Sequence, residues 1–123
     1  MGLLLDTHAF LWWNARDLRL PEPMRVAIAS PLNAVFVSAA SVWEIAIKRA
    51  SGKLIFDSPI GQSIEGHGFT SLPISTAHAE WAGALPSLHS DPFDRLLVAQ
   101  AQMEGLTLVT VDEQVLRYQV PHL

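Results

Sequence analysis

The sequence predicts an α/β domain in which a mostly parallel sheet is covered by helices on both faces. Three observations lead there. Short apolar runs at Leu3–Leu5, Ala34–Val37 and Leu106–Val109 have the length and composition of strands buried on both sides. Helical patterns separate them, and strands alternating with helices become parallel through crossover connections. At 123 residues, half of them apolar, the chain (1–123) fits one domain that needs no metal or disulfide staple to hold its core.

Each element has its own warrant. Leu3–Leu5 is followed at once by Asp6, in the stretch LLLDTHAFLWW. Thr7–Asn14 then forms a helix whose Phe10, Leu11, Trp12 and Trp13 make it more apolar than one buried face requires. Trp12 and Trp13 cannot share a face, so one of them is a candidate partner surface unless both pack under the next helix. Pro21–Glu22–Pro23 opens a short helix, Met24–Ala29, and Pro31–Asn33 closes it before the strand Ala34–Val37. Past Ser38, Ala39–Ala50 is a helix ended by Ser51–Gly52, with Val42, Trp43, Ala46, Ile47 and Ala50 as its apolar stripe and Glu44 in its early turns.

The middle, Leu54–Ser75, is the least informative stretch. Pro59 can begin a short helix, and Phe69–Ile74 reads as a short strand interrupted by Pro73. Ser75 caps a helix containing His78, Ala79, Trp81 and Ala82, which ends before Pro86. The following helix has the strongest signals. Asp91 is its N-cap and Pro92 its first residue; Phe93, Leu96, Leu97 and Ala101 recur at the spacing of one helical face, and Gly105 is its C-terminal stop. Leu106–Val109 follows as a strand, and Asp112 lies just beyond its carboxyl end, at the edge of an open α/β sheet where ligands bind.

Composition excludes several classes. No apolar run approaches the ~20 residues that span a bilayer. The chain has no cysteine, which rules out thiol catalysis and cysteine-ligated zinc or iron–sulfur centres. With no cysteine and no basic, long-cored leader in Met1–Leu5, a cytoplasmic location is expected. A net charge of −4 argues against a metal-free module that grips nucleic acid with a basic surface. It is no strong objection to a metal-dependent nuclease, because acids gathered around divalent cations are offset by them.

Four acids converge in that reading. Asp6 and Asp112 follow strands at their carboxyl ends, whereas Glu44 and Asp94 occupy early helical turns, so all four can meet at one sheet edge. Such a set suits hard cations such as Mg2+ or Mn2+, which prefer oxygen ligands and serve phosphodiester hydrolysis. Each acid also has a structural explanation. Asp91 and Asp94 resemble a helix-capping pair, Ser41 and Glu44 match a capping box, Glu44 and Lys48 match an i,i+4 pair, Asp6 can cap the helix after it, and Asp112 can open a turn. Their shared placement tips the balance toward a metal site. Thr7 and Thr110 are weaker candidates, since threonine beside a turn is commonly a local cap. Arg95 is read as part of a solvated helix face, and His8, His67, His78, His89 and His122 as structural or exposed, because none shows metal-ligand spacing on one helix. Ser38 and Ser41 lack a histidine partner for nucleophilic catalysis.

In order and at this spacing, LLLDTHAFLWW, VSAASVWEIAIKRASGKL and HSDPFDRLLVAQAQMEGLTLVTVDEQV make the chain resemble a PIN domain of the VapC toxin type. The resemblance covers almost the whole chain. It implies a three-layer α/β/α sandwich and a Mg2+- or Mn2+-dependent endoribonuclease. By position, the family's acids fall on Asp6, Glu44, Asp94 and Asp112, with Asp91 and Thr110 as accessory candidates. It further implies a homodimer and a small antitoxin whose tail covers the acidic site, a role suited to an apolar surface near Trp12 and Trp13. Asp6 and Asp94 are then expected to hold the principal metal, with Glu44 and Asp112 completing the set directly or through water. A haloacid dehalogenase-like phosphatase also places an aspartate after its first strand, but its required second acid is replaced here by His8. A non-catalytic RNA- or protein-binding domain of the same fold is the remaining alternative, in which the acids persist as caps.

Overall fold

A computed structural model of the chain describes residues 1–123. Its centre is β1 (Gly2–Leu5), whose Leu3, Leu4 and Leu5 are inaccessible to solvent. Strand β2 (Ala34–Ser38) pairs with one edge of β1 and β4 (Thr107–Val109) with the other. Strand β3 (Thr70–Leu72) lies outside β2, giving the order β3-β2-β1-β4 with every pair parallel. Leu3 faces both Val35 and Thr107 across the ladder, so β1 is bonded on both sides. This explains why its apolar run does not alternate.

Successive residues of β1 serve opposite faces. Leu3 and Leu5 join a core with residues from α1 (Thr7–Ala15), α2 (Glu22–Ala29), α3 (Ala39–Ala50) and α4 (Ile60–Gly66), among them Phe10, Met24, Ile45 and Ile64. Leu4 joins a second core with Leu97, Val98 and Ala101 of α6 (Pro92–Glu104), which is covered in turn by α5 (Thr76–Ala84). The result is the expected α/β/α arrangement. Helix α3 reaches both cores, through Ala40 to the second and Ile45 to the first. No helix is long and apolar enough to cross a membrane.

Local signals set the element ends. Asp91 accepts hydrogen bonds from the Phe93 and Asp94 N–H groups, Pro92 follows it, and Gly105 closes α6 at φ 65°. Ser75 and His78 complete a reciprocal capping box on α5. Helix α1 ends differently, on a left-handed Arg16 at φ 53°.

Three expectations need correction. The Val42–Trp43–Ala46–Ile47–Ala50 stripe of α3 is not its buried face: Ala40, Ser41, Glu44 and Ile45 point inward, while Trp43 is 60% and Ile47 45% exposed. Polar Ser41 and Glu44 face inward because Thr7 of α1 bonds both of them. That placement also removes the proposed Ser41–Glu44 capping box, since Ser38 is the N-cap, accepting from the Ala40 N–H. Trp12 and Trp13 are both half-buried, Trp13 against Phe69 and His67 and Trp12 under the Arg19 guanidinium. Among the tryptophans, Trp43, edge-on to Phe93, is therefore more exposed than Trp12 or Trp13.

Candidate active site at the carboxyl edge of the sheet

Asp6 leaves β1 directly into α1. Its backbone N–H donates to the Val109 carbonyl of β4 at 3.0 Å, and its Oδ1 accepts the Ala9 N–H at 2.8 Å. The side chain is thus fixed between two elements and is buried. Burial pushes its carboxyl pKa up, against the hydrogen bonds from the Thr110 hydroxyl and the Ala9 N–H and the nearby His8; the charge of Asp112 adds to the upward push.

Asp94 occupies the first turn of α6, where the helix dipole favours an acid. Desolvation nevertheless pushes its pKa up to about 6, with Asp91 and Asp6 contributing by repulsion while His89 opposes the shift. His89 Nε2 lies 2.9 Å from Asp94 Oδ2. Asp112, past β4, is tied to the turn by its N–H donating to Thr110 Oγ1 at 3.0 Å and by its Oδ1 accepting the Gln114 N–H at 2.8 Å. One potential ligand atom from each of His89, Asp94 and Asp112 falls within 4.8 Å of the others.

Asp94 and Asp112 therefore come together with His89, while Asp6 lies outside that close group but near enough for its charge to bear on Asp94 and for that of Asp112 to bear on it. Glu44 stands apart from this close group. Its Oε1 accepts the Thr7 hydroxyl at 2.7 Å and its Oε2 pairs with Lys48 at 2.8 Å. Because Thr7 adjoins Asp6, Glu44 shares the same sheet edge. Asp91 is the helix cap it was expected to be, and it also bears on Asp94 electrostatically.

The donor set fits a hard divalent cation. Asp6 and Asp94 are desolvated, and the charge of Asp6 repels that of Asp94; a bound cation would relieve both costs. Oxygen ligands from three aspartates match the preferences of Mg2+ and Mn2+.

Three contributors to the site carry no signal in the reading by helical spacing. His89 enters from the α5–α6 loop, so it has no periodic partner. Arg95 does not lie on a solvated face: its guanidinium donates to the carbonyls of Ala82, Leu85, Pro86 and His89 and to the Tyr118 hydroxyl. Tyr118 donates to the Pro86 carbonyl at 2.8 Å and accepts the His89 N–H at 3.1 Å. Only His89 had a signal, its short spacing to Asp91 and Asp94, which marks one loop and helix start as a concentration of ligating groups.

Fold and site together define a parallel α/β domain with clustered aspartates at the carboxyl edge of its sheet. The PIN domain profile matches residues 3–121, and the chain belongs to the PIN-domain family. It is 32% identical over 123 residues to ribonuclease VapC22 of Mycobacterium tuberculosis, covering 97% of this chain and 93% of that protein. Among solved structures, VapBC2 of Rickettsia felis bound to a DNA fragment from its promoter superposes with a TM-score of 0.71 at 14% identity, covering 100% of this chain and 98% of that one. FitAcB of Neisseria gonorrhoeae gives 0.66 at 18% identity, covering 98% and 96%. A toxin–antitoxin complex of Klebsiella pneumoniae gives 0.65 at 18% identity, covering 98% and 95%. At these identities the structures support the shared fold.

Proposed function

We propose that this protein is a divalent-cation-dependent endoribonuclease and the toxin of a toxin–antitoxin pair. The observation that carries the reading is the approach of Asp94 and Asp112, with the charge of Asp6 bearing on Asp94, at the sheet edge of a PIN domain related to a VapC ribonuclease. Asp6 and Asp94 hold the principal cation, and Asp112 and Glu44 complete the set directly or through water. When bound, Mg2+ or Mn2+ supplies an activated water and stabilises charge on the phosphate oxygens. The chain's part is to orient. Thr110 fixes Asp6, the Asp91 cap fixes the first turn that carries Asp94, and Lys48 with Thr7 fixes both oxygens of Glu44.

A groove of about 360 Å³, linked to the acids through Lys48, which pairs with Glu44, is lined in part by His8, Trp12, Asp17, Arg19, Lys48 and Lys53. Cationic and aromatic groups of this kind suit a single RNA strand, through phosphate attraction and base stacking. Structural neighbours crystallised as VapBC and toxin–antitoxin complexes support an antitoxin protein as partner. A homodimer and a cytoplasmic location complete the proposal.

The test is cleavage of a structured-RNA panel with Mg2+ or Mn2+, with EDTA and Asp6→Asn as controls. Wild type is expected to cut, EDTA to stop it, and the near-isosteric Asp6→Asn to lose about 100-fold or more while staying folded. Wild-type rates from Asp6→Asn would refute the role given to Asp6. A folded protein that binds neither cation and cuts nothing would support the non-catalytic alternative.

A further inference from the structure

We propose that His89 is a nitrogen ligand of the bound cation and that it biases the site toward Mn2+ over Mg2+. This inference rests on the metal-site reading above and adds to it a donor outside the four acids.

The geometry carries it. His89 Nε2 is 2.9 Å from Asp94 Oδ2. Two neighbouring ligands at ~2.1 Å from one octahedral ion stand ~3.0 Å apart, so the pair is already at ligand spacing. A hydrogen bond alone accounts for that distance, but it does not account for Asp112, which comes from beyond β4 and brings a carboxylate oxygen within 4.8 Å of both. Three separate elements thus converge on one small volume.

The loop that carries His89 is built to hold it there. Arg95 bonds four carbonyls between Ala82 and His89, Tyr118 bonds the His89 N–H and the Pro86 carbonyl, and Arg117 bonds the Leu88 carbonyl at 3.0 Å. These contacts immobilise backbone only, leaving the imidazole free to meet the acids. Other histidines are engaged elsewhere: His78 with Ser75 and Glu104, His67 with Asn14, His122 with the Val120 carbonyl. His8 is near Asp6 but exposed, and makes no hydrogen bond to it.

Chemistry sets the consequence. Imidazole binds transition-metal ions well, whereas Mg2+ prefers an all-oxygen shell and gives up water reluctantly. One nitrogen among aspartate oxygens therefore favours Mn2+.

The experiment is pulsed EPR of Mn2+-loaded wild type and His89→Gln, read for coupling to a directly bound nitrogen-14, with calorimetric titration of both proteins by Mn2+ and by Mg2+. Nitrogen coupling is expected in wild type and absent in His89→Gln, whose Mn2+ affinity falls about 10-fold or more while Mg2+ affinity changes far less. Mn2+ bound to wild type without nitrogen coupling overturns the proposal while sparing the carboxylate site. Coupling that survives His89→Gln overturns it too, by assigning the nitrogen to His8. Failure of wild type to bind Mn2+ at all defeats the metal-site reading itself.

Discussion

Asp94 sits in the first turn of α6, where burial and the charges of Asp91 and Asp6 disfavour its ionised form. Its pKa rises from 3.8 to about 6 on folding without metal, chiefly through desolvation. An acid with a raised folded pKa binds its proton more tightly in the folded state. Its ionisation therefore costs stability in full above about pH 6, progressively less below, and nothing under 3.8. Discounting for partial exposure, Asp94→Asn should stabilise the metal-free protein by roughly 1–2 kcal/mol at pH 7.5 and by nothing near pH 3.5. Thermal melts of both proteins in EDTA across that range measure the difference directly. A difference that stays flat with pH, or a variant less stable at pH 7.5, would contradict the account. With saturating Mn2+ the order should reverse, because the ion stabilises only the form that binds it.

Single elements show where folding and function pull apart. Helix α1 stops on Arg16 in the left-handed region, where an L side chain costs about 1–2 kcal/mol and glycine does not. The Arg16 side chain is exposed and makes no hydrogen bond or ion pair, so Arg16→Gly should stabilise by about 1 kcal/mol and raise the melting temperature by a few degrees. Denaturant titration checks it, and a destabilised variant would show that Arg16 has a role the contacts do not reveal. The elements were legible because their causes are local. Asp91–Pro92 and Gly105 bracket α6, and Ser75 opens α5, within a few residues of chain. The placement of Asp6, Asp94 and Asp112 at element ends was legible for the same reason, each lying where its own sequence starts or stops an element. The inward face of α3 was not, because Glu44 and Ser41 turn inward to Thr7, more than thirty residues away, and their polarity defeats a rule that buries the apolar stripe. His89 and Arg95 escaped likewise, since Tyr118 and the loop carbonyls that define their roles are distant in sequence or irregular in structure.

For the whole molecule, the misread face of α3 has a consequence for assembly. Trp43 and Ile47 are substantially exposed, and Trp43 meets Phe93 of α6 edge-on with ring centroids 5.3 Å apart. A patch of this kind is costly to leave in water and is a natural contact between copies. A twofold interface would place the same surface on both partners, so one residue near its centre acts twice. We expect the protein to sediment at twice its 13.5 kDa chain mass. Trp43→Lys should shift it to a monomer with an unchanged circular dichroism spectrum, because loss of the edge-on contact with Phe93 costs the isolated fold only about 1 kcal/mol. In the dimer the same change buries two charges in an apolar contact, which costs several kcal/mol unless they are paired. Sedimentation equilibrium over a concentration series separates the outcomes. A dimer indifferent to Trp43→Lys would put the interface elsewhere, and a wild-type monomer would leave this face for another protein. Trp43 directly precedes Glu44 on α3, and Phe93 directly precedes Asp94 on α6, so whatever covers this face also constrains the two helices that carry those acids.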